Sequence, residues 1–412
     1  MSSSAPSNKD ELYVVAATAL MALSLLNYLI WAYGHPAQWV ALGILVLMVL
    51  VGFGCMAWRW DILLVGVFGY LIVLSLSNSN VGWDPRSLWF FFAKRIFLEG
   101  DLYSRLDGYH SSSYPALFSA LAASLGHIQG AWGEQIPKLA SLFFLAPALM
   151  VIRHIASSAM LTWVWFLLLL LVAGIKLING YQDPILGLYL VLFLCLAPNV
   201  FLAEKRPPDL LSHFALLGVM VSMPLLKNEG QAMLLTLVLA TVIASKRLNV
   251  KVVVFGGISI TFFWLTWQQH LSAAGVSDGL MSGGLAGLIQ RVSTRLIQIE
   301  PIWQTGLLML EKSLGWIVVY AYSHWWIRRR GGVSLLSAPL AVHRLLCWWG
   351  SLYSGVLFLI YVSTPADLMW HLNTSVGRTM MPLNIALMTM SILNFREPIE
   401  KWVSSKASQG KT

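Results

Sequence analysis

Residues 78–115 read NSNVGWDPRSLWFFFAKRIFLEGDLYSRLDGYHSSSYP, and this polar segment interrupts a chain that is otherwise almost continuously apolar. Asp84 stands early in it, ahead of a helix-like run with aromatic residues on one side and Arg86, Lys94 and Arg95 on the other. A carboxylate in such a loop can act as a general base. We therefore expect Asp84 to lie near the centre of any chemistry that the protein performs.

The composition is that of an integral membrane protein. Of the 412 residues, 58% are hydrophobic and only 11% are charged, with a mean hydropathy of +0.70. Soluble proteins carry about 25% charged residues. The net charge of +9 indicates basic cytoplasmic loops and contact with membrane lipids, and we expect no nucleic-acid partner. All three cysteines lie in apolar runs, which predicts buried thiols.

Twelve apolar runs are each long enough to cross a bilayer as a helix of about 20 residues. They are 13–33, 38–58, 61–77, 136–152, 159–176, 183–200, 209–226, 229–245, 250–268, 305–326, 340–362 and 378–394. We therefore predict an all-α polytopic membrane protein with about 12 transmembrane helices, forming a single domain over residues 1–412. Segments 78–135 and 269–304 are the longest that do not cross, and we expect interfacial or re-entrant helices in the first of them.

Lysine and arginine in the loops predict the orientation, because cytoplasmic loops carry an excess of both. The C-terminal tail is basic, and every second loop counted backward from it is basic as well. These loops contain Arg328-Arg329-Arg330, Lys246-Arg247 with Lys251, Lys205-Arg206, and Arg153. The pattern predicts cytoplasmic N- and C-termini. It also predicts that segments 78–135 and 269–304 face outward from a bacterial inner (plasma) membrane.

Residues 114–128 form an apolar piece that is too short for an ordinary crossing. If it crossed fully, topologies counted from the two chain ends would disagree. Segments of about this length are often re-entrant or interfacial. We therefore predict that 114–128 enters the membrane without changing side.

The predicted topology places polar residues from separate loops and helix ends on the same outer face. They include Asp84, His110, Tyr114, Asp183, Lys227, Asn228, Glu229, Asp367, His371 and Arg378. Ionisable groups at membrane depth are costly and are usually functional. The alternative interpretation is that each of them is an ordinary solvated loop residue, although the short link around Lys227 leaves little room for water.

This set of residues suits the transfer of a sugar from a lipid phosphate. Asp84 can act as the base toward an acceptor hydroxyl, while Lys227 and Arg378 can hold the phosphate. The sequence contains no Walker, GxSxG, HExxH or CxxC motif. Nucleotide-sugar donors are disfavoured, because the chain has no soluble nucleotide-binding domain and its polar residues face outward.

Four segments resemble polytopic glycosyltransferases of the GT-C type, in particular protein mannosyltransferases and the transferases of aminoarabinose and lipopolysaccharide sugars. The first is Gly82-Trp83-Asp84 with SLWFFFAKRIF and His110…Tyr114-Pro115, which is similar to the family's first outer loop but lacks one proline. The others, in matching order, are Gly180-Tyr181-Gln182-Asp183-Pro184, Lys227-Asn228-Glu229-Gly230, and Thr364-Pro365-Ala366-Asp367 with Trp370-His371 and Arg378.

The resemblance implies a polyprenyl-phosphate-linked sugar donor, an inverting transfer, and a glycan, lipid or protein acceptor. By this resemblance Asp84 is the catalytic base, and Lys227 and Arg378 are the donor phosphate contacts. His110, Tyr114, Asp183, Asn228, Glu229, Asp367 and His371 would shape the site. A divalent cation, Mg²⁺ or Mn²⁺, is a candidate cofactor, but no ligand set can be assigned.

Two other functional classes remain open. A transporter or flippase of lipid-linked sugars would place charges near the bilayer midplane and would show broken helices and repeats. A non-enzymatic scaffold of a glycan-assembly complex would need no convergence of Asp84, Lys227 and Arg378.

In the second outer loop, Arg291 and Arg295 share one helix face, as expected for a flexible cover over the site or for a solvated interfacial helix.

Overall fold

The computed structural model describes residues 8–33, 38–58, 61–79, 81–104, 106, 113–156, 158–202, 210–245, 249–276, 284–330 and 339–395. Across these ranges the chain is all-α and contains no strand. The helices are α1 (Asn8–Tyr33), α2 (Gln38–Trp58), α3 (Ile62–Ser77), α4 (Phe90–Glu99), α5 (Leu117–Gln129), α6 (Ala140–Ala156), α7 (Ala159–Ala173), α8 (Gln182–Ala197), α9 (Leu210–Leu226), α10 (Asn228–Ser245), α11 (Val250–Phe263), α12 (Gln269–Ala273), α13 (Gly284–Ile297), α14 (Ile299–Arg330), α15 (Pro339–Ser363), α16 (Leu368–Thr379) and α17 (Met381–Asn394).

Nine helical segments within the described ranges are long and apolar enough to cross a membrane, as expected for a helical membrane protein. They are Glu11–Tyr33, Trp39–Met56, Pro137–Ala156, Ala159–Leu177, Gln182–Leu202, Asn228–Ser245, Val250–Ala273, Leu340–Ser363 and Leu368–Asn394. The other three predicted runs also lie on helices: α3 and α9 are shorter, and α14 is interrupted by charged residues such as Glu311 and Lys312.

Helix α8 is the centre of the bundle. Every residue from Gln182 to Ala197 is buried, and α8 packs against α6, α9 and α17. A helix that is apolar all round lies either in the interior of a protein or within a membrane, and α8 is covered by other helices. Helix α11, in contrast, leaves Val253, Val254 and Ile258 exposed, which is typical of a lipid-facing surface.

Hydrogen bonds and ion pairs between helix termini define two ends of the bundle. At one end, Asn78 after α3 donates to Asn179 before α8 over 3.4 Å, and the buried Lys138 ammonium donates to the Asn78 carbonyl. At the other end, Asp61 before α3 pairs with Arg153 of α6 over 2.8 Å. We call the first the Asn78 end and the second the Asp61 end.

Helix α5 begins and finishes at the Asn78 end. Near its start the Ser119 hydroxyl donates to the Trp89 carbonyl over 2.8 Å. After it, Glu134 pairs with Arg86 over 3.0 Å. All of the residues from Leu117 to Gly126 are buried. The chain is therefore at the Asn78 end both before and after α5. Helix α5 itself packs against α1, α2, α4 and α6.

One expectation about the cysteines is wrong. Cys55 and Cys195 are buried as predicted, but Cys347 is exposed. It lies on α15, a helix that is covered on only part of its circumference. An apolar run predicts membrane burial and does not distinguish a protein-facing residue from a lipid-facing one.

Candidate functional site

Asp84 and Arg378 form an ion pair at the Asn78 end, although 294 residues separate them. Asp84 immediately precedes a π-helical turn, Pro85–Trp89, that leads into α4. Arg378 lies in the last turn of α16, where its Nε also donates to the Thr374 carbonyl over 3.2 Å. The side chains are 23% and 17% exposed, respectively. The pair is thus largely shielded and still reachable from solvent.

Tyr181 lies under this ion pair and joins it to α8. The Arg378 guanidinium lies over the Tyr181 ring, 5.7 Å from its centroid. The ring also contacts Gly82, where an added Cβ would lie 2.4 Å from a ring carbon. Burial, together with the charge of Asp183, raises the pKa of the Tyr181 phenol. Only glycine at position 82 permits the loop that holds Asp84 to approach this ring so closely.

Lys227 lies between two carboxylates. Its Nζ is 2.7 Å from Asp183 Oδ1 and 2.8 Å from Glu229 Oε1. The Lys227 side chain is 6% exposed and the Asp183 side chain 2% exposed. Burial alone would lower the pKa of Lys227, but the charges of Asp183 and Glu229 outweigh it, so that the pKa lies well above its ordinary value. Lys227 is therefore a fixed cation that joins the starts of α8 and α10.

The Lys227 cluster, which consists of Asp183, Lys227 and Glu229, has unused acceptors. Asp183 Oδ2 and Glu229 Oε2 are buried and accept no hydrogen bond from any described residue. With one cation and two carboxylates, the cluster carries a net charge of −1. Buried carboxylate oxygens without donors are costly. The two oxygens therefore mark a place where a polar group of a ligand would be stabilised.

Buried phenols lie near the Lys227 cluster. The Tyr353 hydroxyl donates to the Thr379 carbonyl over 3.3 Å. The Tyr361 hydroxyl lies 2.7 Å from Thr379 Oγ1. Both tyrosines come from α15 and reach the residue that follows Arg378. The Arg378 end of α16 is therefore positioned by α15, the helix that also packs on α10.

The structure brings the three principal predicted residues into one continuous set of contacts. Asp84 binds Arg378, Arg378 lies over Tyr181, and Asp183, two residues further along the chain, binds Lys227. Three separate parts of the sequence thus meet beside the first turn of α8.

Asp367 and His371 lie in the turn between α15 and α16. The Asp367 carboxylate caps α16, because its Oδ1 accepts from the Trp370 backbone N–H over 2.8 Å. Nδ1 of His371 lies 2.9 Å from Thr364 Oγ1, and its ring packs edge-on against Tyr361 with centroids 5.0 Å apart. Both residues thus stabilise the helix that carries Arg378.

The remaining predicted site residues differ in position. Tyr114 is half-buried, packs on Trp89 with ring centroids 6.1 Å apart, and lies near enough to Lys227 to interact electrostatically with it. Asn228 is the first residue of α10. His110 lies outside the described residues. Tyr114 is therefore the member of this group that the structure brings to the Lys227 cluster.

The described part of the chain offers no ready cation site. No three His, Cys, Asp or Glu side chains within it converge in an arrangement that would hold a metal ion. The nearest approach to one is the Lys227 cluster, where the ammonium already occupies the space between Asp183 and Glu229. A divalent cation would have to displace that ammonium, so this donor set does not fit a resident metal.

Two residues that help to build the site were not among the predicted site residues. The Tyr181 ring lies against the Arg378 guanidinium, and Gly82 leaves space for the Tyr181 ring. Both lie within the segments that carry the family resemblance, but sequence spacing does not show that they touch. A search of family models, curated proteins and solved structures finds no match to this chain.

Proposed function

We propose that the protein is a membrane glycosyltransferase of the GT-C type that uses a polyprenyl-phosphate-linked sugar. The observation that carries the proposal is the largely shielded Asp84–Arg378 pair, which unites a carboxylate and a guanidinium 294 residues apart. Both side chains stay partly exposed, so that an acceptor can reach the carboxylate and a phosphate can reach the guanidinium.

The proposed reaction is a single inverting displacement. An acceptor hydroxyl attacks the anomeric carbon, the bond from that carbon to the phosphate oxygen breaks, and the polyprenyl phosphate leaves with the electron pair. The hydroxyl proton passes to the Asp84 carboxylate, which acts as general base. The products are the glycosylated acceptor and polyprenyl phosphate.

Arg378 is the proposed phosphate contact. A guanidinium has five N–H donors in a planar fork, and the contacts to Asp84 and Thr374 use only part of them. The remaining donors can bind a phosphate oxygen as its negative charge grows. The sequence predicts a direct contact from Lys227, but two of its three N–H donors are used by carboxylates, and those two negative charges oppose the approach of a phosphate. In our proposal Lys227 chiefly positions the first turns of α8 and α10.

The proposed topology has twelve crossings, with α5 entering and leaving on one side. This places both termini in the cytoplasm and the Asn78 end on the outer face. Two observations support it: the basic residues Arg153, Lys251 and Arg328 belong to the Asp61 end, and α5 starts and finishes at the Asn78 end. A lipid-linked donor would then reach Arg378 within the membrane, and the acceptor would arrive from outside.

The test is a transfer assay with purified protein and a panel of polyprenyl-phosphate sugars, comparing the wild type with Asp84→Asn. Removal of a general base lowers the rate by about 10²- to 10⁴-fold. We expect a loss of this size, with the donor still bound. The matched control is Glu134→Gln, which changes a carboxylate at the same end that pairs with the exposed Arg86 and should leave the rate unchanged. Full activity of Asp84→Asn would eliminate Asp84 as the base.

Transport of lipid-linked sugars is the second candidate function. Against it, the ionisable residues of this site lie at helix ends rather than at the middle of the bundle. Reconstituted vesicles distinguish the two functions. Movement of a labelled lipid-linked sugar between leaflets, without any covalent product and without sensitivity to Asp84→Asn, would favour the transporter.

A further inference from the structure

A second polar cluster lies at the Asp61 end, between the last turns of α14 and the first turns of α15. The imidazole rings of His324 and His343 are stacked, with centroids 3.6 Å apart and planes within 7°. The Tyr320 hydroxyl lies 2.8 Å from Nδ1 of His343. The lone pairs of two stacked rings run parallel rather than toward one point, so the pair does not suit a tetrahedral metal site.

Two arginines extend this cluster. Arg328 is one turn after His324, and its charge reaches both imidazoles. Arg344 follows His343 directly. Neither arginine forms an ion pair with any residue within the described ranges. Arg328 thus lies near both imidazoles, and Arg344 is the neighbour of His343 along the chain.

Two nitrogen atoms here are buried without hydrogen-bond partners. Nε of Arg344 and Nε2 of His324 are shielded from solvent, and neither has a partner among the described residues. A buried donor without a partner destabilises a folded protein, most of all when it is charged. An anion with several oxygens would accept from the Arg344 guanidinium, would accept from Nε2 of His324 in the tautomer that has its proton there, and would balance the charge of the two guanidinium groups.

The surroundings of this cluster are similar to those found at a membrane–water interface. Trp325 is 48% exposed, and the Arg329 guanidinium lies over its ring, 5.2 Å from the centroid. Exposed tryptophan beside arginine near a helix end is typical of the membrane–water interface. Basic pockets between helices on the cytoplasmic side bind anionic headgroups.

We propose that His324, Arg328, His343 and Arg344 form a binding site for the phosphate of an anionic phospholipid. The site lies at the opposite end of the bundle from Asp84 and takes no part in the proposed transfer. Its ligand is a phosphodiester, which provides the two or more acceptor oxygens that the unpaired donors require. The imidazole stack provides a flat wall, and the guanidinium groups provide the charge.

The experiment measures lipid binding to the full chain, delipidated in neutral detergent, by native mass spectrometry and by thermal unfolding. The probes are dioleoylphosphatidylglycerol, dioleoylphosphatidylcholine and inorganic phosphate. We expect phosphatidylglycerol to bind and raise Tm, and the Arg328→Gln/Arg344→Gln variant to weaken its binding by about tenfold or more, as for loss of charged hydrogen bonds. Lys251→Gln is the control, because Lys251 is an exposed cation at the same end of the bundle.

Several outcomes would overturn the proposal. These are equal binding of the two phospholipids, unchanged binding by the double variant, an equal loss in Lys251→Gln, or stabilisation by phosphate alone at matched concentration. The chain's own Glu397 and Glu400 follow Phe395, whose ring is 6.4 Å from that of Tyr322. If phosphatidylglycerol binds only when both glutamates are changed to glutamine, these carboxylates are the ligand instead. Should the double variant not fold, Arg328→Gln, which alters an exposed side chain, replaces it.

Discussion

Lys227 and Arg378 show that two cations in one site can have different physical roles. Lys227 faces two carboxylates at 2.7 and 2.8 Å and is almost wholly buried. Arg378 faces one carboxylate and stays partly exposed. A cation with two carboxylates has little attraction left for a phosphate, whereas a guanidinium with unused N–H groups can still bind one. This difference favours Arg378 as the group that meets the donor.

Lys227→Met should therefore act mainly on stability. Removing one partner from a buried ion pair leaves an uncompensated charge and costs about 3–5 kcal/mol, and here two carboxylates would lose their cation. We expect a loss of this order in the free energy of unfolding, measured with denaturant in detergent micelles. Lys312→Met is the control, because Lys312 is 41% exposed and pairs with its neighbour Glu311. A variant as stable as wild type but without donor binding would instead support a direct phosphate contact.

At the scale of the element, α13 is fastened to the end of α15. Arg295 donates to the carbonyls of Thr364 over 2.8 Å and of Ala366 over 3.1 Å, and Arg291 donates to that of Ser363 over 2.8 Å. The last carbonyls of a helix lack partners within the helix, and here arginine side chains satisfy them. The same turn leads into α16, which contains Arg378. By holding this turn in place, α13 therefore helps to position Arg378.

Arg295→Gln should loosen this turn. Hydrogen bonds to a charged group contribute about 1.5–3 kcal/mol. Loss of the Arg295 contacts should accordingly speed amide hydrogen exchange at residues 361–372, with a smaller effect on α8. Arg291→Gln, which removes the contact to the Ser363 carbonyl, should also speed exchange in this turn. Equal protection in both variants and wild type would contradict the fastening role of α13.

At the scale of the whole molecule, the two ends of the bundle predict an accessibility pattern. Position 131 follows α5 at the Asn78 end, and position 159 begins α7 at the Asp61 end; both side chains are exposed. Ala131→Cys and Ala159→Cys, each in a Cys347→Ser background, should react with an impermeant maleimide from opposite sides of sealed vesicles. The Cys347→Ser parent alone should not react, because Cys55 and Cys195 are buried. Reaction of both introduced cysteines from one side would refute the proposed topology.

The helices were predictable because the length and spacing of apolar runs follow from the thickness of a bilayer. The sequence predicted that Asp84 and Arg378 lie on the same face of the membrane. It could not predict that they form an ion pair, because this depends on how α16 packs. The acceptors of Arg295 were beyond sequence reasoning: they are backbone carbonyls 66 to 71 residues further on, and every residue type has such a carbonyl. The sequence predicted both Asp183 and Glu229 as site residues. It could not show that they bind the same ammonium, because this depends on how α8 and α10 lie relative to each other.

The distance along the chain between Asp84 and Arg378 has a consequence for biosynthesis. The carboxylate is synthesised 294 residues before its guanidinium partner, which belongs to α16. The ion pair therefore cannot form until α16 has been synthesised and has packed against the loop that contains Asp84. A chain arrested before α16 has the aspartate without its guanidinium partner.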